Sequence, residues 1–493
     1  MGSTLGALLY RAGKHQPVDR PRQRVARALP ITALTATFSL AAWVLAGCGN
    51  TYRPVVSAIS PVGPAGQPTK YAVAVSSPSP TSPGLATFVD FAGDTVLSTP
   101  SILTNPSYFA ANNGGNQGYT INAAGSLDAF NLNNPAGLLT SDITQTTLSA
   151  NSNPVTISAI TPGGSSSTLF IPEANGSKVA VLSGGGAPAL LQEVAVAANP
   201  VYVVGADSTP RVYAISQGSG GGNGSISAIE AISSSSLSVS ATIPVGIKPV
   251  YGVMTSDDRR AFILNQGSGT VSVVNVINNA LDSTTPTITL PNIAYTGGTS
   301  APNPVWADLS PVTSELVVLN QGDGTHPGSL SIISIPLCNG TTQVTNPNCN
   351  LANPVDAAGF GQVVATANVG INPQMVSVLK DGSRAYVVNL RDSTGTCNAG
   401  EGSVTVVNLV SGTVTATICG ISTVAGTAGV NSTPAAVYGH PNTVAATTGT
   451  PAGKVYVTSP DNQYLTVIYT DTDTVQTHIP LQGLGVRVIV TSP

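Results

Sequence analysis

The dipeptide Asn-Pro recurs through this chain at a spacing that few folds can use. It stands at Asn105-Pro106, Asn153-Pro154, Asn199-Pro200, Asn303-Pro304 and Asn372-Pro373, with Lys248-Pro249 and His440-Pro441 in the same register. Successive prolines are 48, 46, 49, 55, 69 and 68 residues apart. A period of about 40–50 residues that tolerates insertions marks an array of structural repeats. After Pro249 come "VYGVMTS", "RAFILNQ", "TVSVVNV" and "TITLP"; after Pro373 come "QMVSVLK", "RAYVVNL", "SVTVVNL" and "TVTATI". Such short runs of alternating character, split by Gly, Ser and Asn, read as four strands per unit. Proline suits the link before each unit, because it fixes φ and cannot donate to a central ladder.

One phrase is repeated within the units. It reads "LNQGSGTVSVVNV" (264–276), "LNQGDGTHPGSLSII" (319–333) and "VNLRDSTGTCNAGEGSVTVVNL" (388–409). Each copy is an apolar strand ending in Asn, a Gly/Ser/Thr loop and a second strand, the hairpin between the second and third strands of a four-stranded sheet. The pattern resembles the YVTN family of β-propeller repeats. The best matches are "NPQMVSVLKDGSRAYVVN" (372–389) with "GSVTVVNLVSGTVTATI" (402–418), and "HPNTVAATTGTPAGKVYVTS" (440–459) with "YLTVIYTDTDTVQTHI". The match is specific in the last four units and loose in the first four, where "TLFIPEANGSKVAVLSGG" keeps only the pattern. The resemblance implies an all-β fold, a β-propeller of four-stranded blades.

Seven units open with the proline signal. Before them, 70–102 carries three strands with no opening one, and after them "GVRVIVTSP" (485–493) is a lone strand. Together they make an eighth blade shared by both ends, which closes the ring and removes two sheet edges. Eight blades are therefore expected, with seven as the alternative.

The first 47 residues read differently. Arg11, Lys14, Arg20, Arg22, Arg24 and Arg27 precede an apolar run, "LPITALTATFSLAAWVLAG" (29–47). A basic region, an apolar region and a small-residue exit form a secretory signal peptide. Leu45-Ala46-Gly47-Cys48 resembles the bacterial lipobox, which implies a lipid on Cys48 and cleavage just before it. The expected organisation is a lipoprotein signal peptide (1–47), a Pro/Gly-rich tether (48–67) and the propeller (68–493). Gly49 rather than Asp after the Cys favours the outer membrane by analogy with lipoprotein sorting.

Losing the leader removes six of the 18 Lys and Arg, and one of the 22 Asp and Glu, leaving 12 basic against 21 acidic residues. A body near −9 lacks the concentrated basic face that nucleic acid demands. The expected partners are the membrane, through Cys48, and a protein or glycan on the rim loops of a monomer. Four further cysteines, Cys338, Cys349, Cys397 and Cys419, are an even set in an exported chain and favour disulfides. Three pairings exist; Cys338–Cys349 and Cys397–Cys419 are preferred because each joins neighbouring loop ends.

Catalytic signals are sparse. His15, His326, His440 and His478 fall in different units, without ligand spacing for a metal. No glycine-rich phosphate loop opens a helix, so no cofactor is expected. Asp207 and Asp308, at the ends of inner strands, could reach the central channel, although an Asp there more often caps a turn. Two functions remain: a lipid-anchored binding scaffold at the cell envelope, or a hydrolase or lactonase using the channel. Scattered His and long rim loops favour binding. The long loops 217–224, 322–328 and 391–402 and the links 291–303 and 420–440 share one face; only the insertion 338–361 is long on the opposite one.

Overall fold

In the computed structural model, the residue before six of the seven repeat prolines turns the chain from the outer edge of one sheet to the inner strand of the next. Asn105, Asn153, Asn199, Lys248, Asn303 and Asn372 all adopt φ between 50° and 55°. That left-handed region penalises a Cβ, and Asn tolerates it better than most residues. The kink is then held: the N–H groups of Gln217, Gln266 and Gln321 donate to the carbonyls of Asn199, Lys248 and Asn303 at 3.0, 2.9 and 3.0 Å. The structure describes residues 70–491, apart from 123, 134–137, 163–166, 208, 232–236, 311–313, 337–358, 394, 399, 422–435 and 448–452.

The described strands build eight antiparallel blades around a ring. Blade 1 combines the C-terminal Leu484–Val490 as its inner strand with Tyr71–Ser77, Pro83–Asp90 and an outer strand in two pieces, Val96–Ser98 and Ser101–Thr104. The pairing runs from Ala72↔Val490 to Ser77↔Leu484, so the expected shared blade is present. The inner strands of blades 2 to 6 are Tyr108–Ala111, Ser158–Ile160, Pro200–Val204, Pro249–Met254 and Pro304–Ser310. Blade 8 has Thr443–Thr447. Each inner strand lies against the next, and the circle closes from blade 8 to blade 1 to blade 2.

Blades 6 and 7 depart from the simple reading. One strand, Gln362–Val378, is the outer strand of blade 6 along its first part and the inner strand of blade 7 along its second. The kink at Asn372 redirects this strand without interrupting its pairing, so the two blades form one continuous sheet.

The core lies between blades, because second and third strands are buried on both faces. Tyr213, Ile215 and Ile226 of blade 4 pack against Ala261, Ile263 and Val274 of blade 5, and comparable clusters recur around the ring. The Asn near the start of each repeated phrase has a specific task here. Asn265, Asn320 and Asn389 are fully buried. Their Nδ2 groups donate to hydroxyls two residues apart on the third strand: Thr270 and Ser272, Ser329 and Ser331, Ser403 and Thr405, all within 2.8–3.1 Å. A buried N–H donor must find partners, and alternating Ser/Thr on the next strand supplies them, while the Oδ1 atoms of Asn320 and Asn389 have none.

Candidate functional site

The alternation of strands puts the second-to-third-strand loops and the links between blades on one face, and the remaining turns on the other. On the first face, loops of neighbouring blades are laced together. The link 291–303 folds into a small hairpin, Ile293–Tyr295 with Gly298–Ser300. Its Tyr295 ring stacks on His326 of the blade 6 loop at 3.8 Å, and Asp323 accepts from the His326 ring at 2.7 Å. Arg391, entering the blade 7 loop, donates to Gly324 O at 2.7 Å. Cys397 in that loop is joined to Cys419 at the end of the blade's outer strand, with Cα atoms 5.2 Å apart.

His440 at the start of blade 8 completes the lacing. Its Nδ1 donates to Asp461 at 2.5 Å, and its Nε2 reaches Gly400 O at 3.0 Å. Burial opposes protonation of this ring, but the hydrogen bonds to Asp461 and Gly400 O, with the nearby charges of Asp461 and Glu401, outweigh it and raise the pKa. A groove of about 300 Å³ runs along the same face, lined by Lys248, Gln266, Asn303, Gln321, Asp323 and Asn372. These are the residues of the kinks and of the repeated phrase, so the repeat that builds the fold also lines the groove.

The second candidate is the central channel. In four units the residue two positions after the proline is aromatic, and these four, Tyr108, Tyr202, Tyr251 and Trp306, meet Arg487 of the last strand there. Tyr202 packs on Tyr251 with centroids 4.6 Å apart, and Tyr251 stacks on Trp306 at 4.2 Å. The Arg487 guanidinium lies 4.2 Å over the Tyr108 ring and 5.3 Å from that of Trp306. The five side chains form a continuous stack across the channel. Burial pushes the Tyr202 and Tyr251 hydroxyls well above their ordinary pKa.

A cavity of about 410 Å³ opens beside this stack, and a wider one of about 630 Å³ adjoins it towards the face opposite the laced loops. Asp308 borders the inner cavity. Its oxygens accept from the Leu309 and Val378 N–H groups, both at 2.8 Å, and burial pushes its pKa up to about 6. Asp207 lies at the outer mouth, where it accepts from Thr161 N–H at 3.0 Å and from the Asn113 side chain. Both aspartates are thus engaged by neighbouring blades rather than by a turn of their own. His440 and His478 both belong to blade 8, against the expectation of separate units, but they have different partners: His478 stacks on Tyr438 at 3.7 Å, while His440 bonds Asp461. Cys48, Cys338 and Cys349 lie outside the described residues.

The aromatic ring is the feature that a search for carboxylates and histidines overlooks. Its signal is present in the sequence once the units are aligned on proline: "NPSY", "NPVT", "NPVY", "KPVY", "NPVW" and "NPQM".

No known protein-family signature matches the sequence, and no curated protein matches it. Among solved structures, the chain is similar to the periplasmic gluconolactonase PpgL of Pseudomonas aeruginosa (TM-score 0.50, 19% identity, 71% of this chain and 95% of that one). It is also similar to AztD of Citrobacter koseri (TM-score 0.51, 10% identity, 85% and 97%). A third similar structure is the dihydro-heme d1 dehydrogenase NirN in complex with DHE (TM-score 0.53, 10% identity, 86% and 76%). At these identities the likeness shows the propeller fold alone.

Proposed function

We propose that the chain is a binding scaffold at the cell envelope, tethered by a lipid on Cys48 and presenting the laced loop face of blades 5 to 8 to a protein or glycan partner. The observation that carries this reading is the lacing itself. Tyr295 on His326, Arg391 on Gly324, the Cys397–Cys419 bond and His440 on Gly400 hold four neighbouring blades' loops in one arrangement. Ordering loops before contact reduces the entropy lost on binding, and unusually long loops in compact domains are commonly functional. The lipobox resemblance supports the envelope location. No helix among the described residues is long and apolar enough to cross a membrane, and the apolar run 29–47 lies outside them.

A photo-crosslinking amino acid in intact cells tests the face. Placed at Thr325, it should trap a discrete partner; placed at Asn278, on a turn of the opposite face, it should not. Adducts only from Asn278, or from neither site, would remove this reading. Cys48→Ser should abolish lipid modification and block cleavage between Gly47 and Cys48; a variant that stays membrane-bound and is processed as before would remove the lipoprotein reading.

The second reading, a hydrolase or lactonase working in the channel, draws on Asp308, a carboxyl with a pKa near 6 bordering a cavity. Such a value suits proton transfer close to neutral pH. A lactone-hydrolysis assay in which Asp308→Asn behaves as wild type would dispose of it.

A further inference from the structure

Arg487 brings a charge into the channel that the protein does not neutralise. A guanidinium stays protonated and presents five N–H donors at the edge of a flat fork. Tyr108 and Trp306 engage its π-face, which leaves that edge unused. Nε is buried without a hydrogen-bond partner, and among the described residues no carboxylate pairs with the group. The side chain as a whole borders the cavity, so its Nη end is the part left to meet a ligand. Asp308, the other charged side chain there, turns its oxygens to the Leu309 and Val378 N–H groups instead. The natural complement of an unpaired guanidinium edge is a carboxylate, which it binds through two parallel hydrogen bonds.

The walls decide what the rest of such a ligand is. Every residue bordering this cavity of about 410 Å³ lies in or beside an inner strand of blades 1 to 6. Each of those strands is the last of its sheet. An edge strand carries a row of backbone N–H and C=O groups outside its ladder. Thr156 and Ser158 of blade 3 already donate to two of them, Val201 O and Val203 O of blade 4, at 3.1 and 2.5 Å. Apolar side chains of the lining are turned away: Phe109, Ile157 and Val203 are buried in the clusters between blades. The Tyr251 ring is taken up by Tyr202 and Trp306. What the cavity exposes is therefore mostly polar. An apolar ligand would bury these groups without partners, which is costly. Hydroxyls both donate and accept, so they can meet either kind of group on a strand edge.

We propose that the channel binds a small hydroxycarboxylate that enters from the face opposite the laced loops, with its carboxylate on the Nη end of Arg487 and its hydroxyls on the backbone edges of the inner strands. This goes beyond the scaffold reading and does not depend on it, since the two sites use opposite faces. It concerns binding and needs no turnover at Asp308.

Trp306, stacked in the same channel, reports on occupancy. It is one of two tryptophans, the other being Trp43 in the leader region. In the full chain carrying Trp43→Phe, fluorescence therefore comes from the channel alone. Titration with threonate, a short trihydroxy acid, should change this signal saturably. Two further probes each remove one feature: butyrate keeps the carbon chain and the charge without hydroxyls, and threonamide keeps the hydroxyls without the charge. Each should bind more weakly by roughly tenfold or more, because each leaves buried polar groups without partners. Arg487→Lys keeps a cation but loses the fork and should weaken threonate by about the same factor; Arg487→Leu should abolish the response. The butyrate and threonamide comparisons need no change at Arg487, so they decide the matter even if Arg487→Leu does not fold. No saturable response to threonate, butyrate or threonamide binding as tightly as threonate, or an unaltered Kd in Arg487→Lys would each overturn the proposal.

Discussion

Asn389 sits near the end of the second strand of blade 7, Arg384–Arg391, where its buried amide must find partners within the blade. It is completely buried, and its Nδ2 spans Ser403 and Thr405 on the adjacent strand at 3.1 and 2.9 Å. Replacing it by Ala removes both bonds and leaves two buried hydroxyls without that donor. Unsatisfied buried groups cost about 1–3 kcal/mol, so Asn389→Ala should lower unfolding stability by about that amount in denaturant titration. Asn389→Asp should be worse, because it removes the donors and adds a buried charge. A variant as stable as wild type would show that the staple is incidental. The same reasoning applies to Asn265 and Asn320, which hold the equivalent place in blades 5 and 6.

At the scale of elements, the blade 7 loop 391–402 depends on a titrating clamp. The His440 ring can donate to both Asp461 and Gly400 O only when doubly protonated. Its folded-state pKa is raised above the unfolded value of about 6.5. A raised pKa means the folded form binds the proton more tightly, so the stabilisation is fully present below about pH 6.5 and is lost as pH rises through the higher folded value. The melting temperature of wild type should therefore exceed that of His440→Asn most at pH 5.5, with the gap narrowing by pH 9. A gap that is constant or widens with pH would contradict the clamp. This loop also shows how far the sequence could be read. The proline period, the hairpin phrase and the shared blade were legible because each follows from backbone rules that repeat. The Cys397–Cys419 pairing was legible because two loop ends of one meander must lie close. The lacing was not, since Arg391 on Gly324 and His440 on Gly400 join residues 67 and 40 apart in different blades. The channel ring was hidden for a different reason: Tyr and Trp after proline look like ordinary strand residues until the inner strands bring them together.

The whole molecule is a ring whose closure depends on one strand from the far end of the chain. Leu484–Val490 pairs with Tyr71–Ser77 and is the inner strand of blade 1. Val488 is buried in the interface with blade 8, while Val486 and Ile489 pack against the cluster shared with blade 2. Two other contacts bridge the same junction: Tyr71 N–H donates to the Thr491 hydroxyl at 3.0 Å, and Lys454 of blade 8 donates to Phe91 O and Asp94 at 2.6 and 2.8 Å. Ending the chain at Gly483 would expose the edge of Tyr71–Ser77, which is a template for aggregation. It would also uncover apolar side chains worth roughly 1.5–3 kcal/mol each, against a total stability of only about 5–15 kcal/mol for a typical domain. The truncated chain should therefore lose its cooperative melting transition, and with it the Trp306 environment that Arg487 helps to build. Adding a peptide of residues 484–493 should restore both, because the missing piece is a strand and the rest of the blade retains its partners. Rescue separates loss of closure from general damage to the fold. If the truncated protein melts as wild type does, the ring is held by its seven other blades and the terminal strand is dispensable.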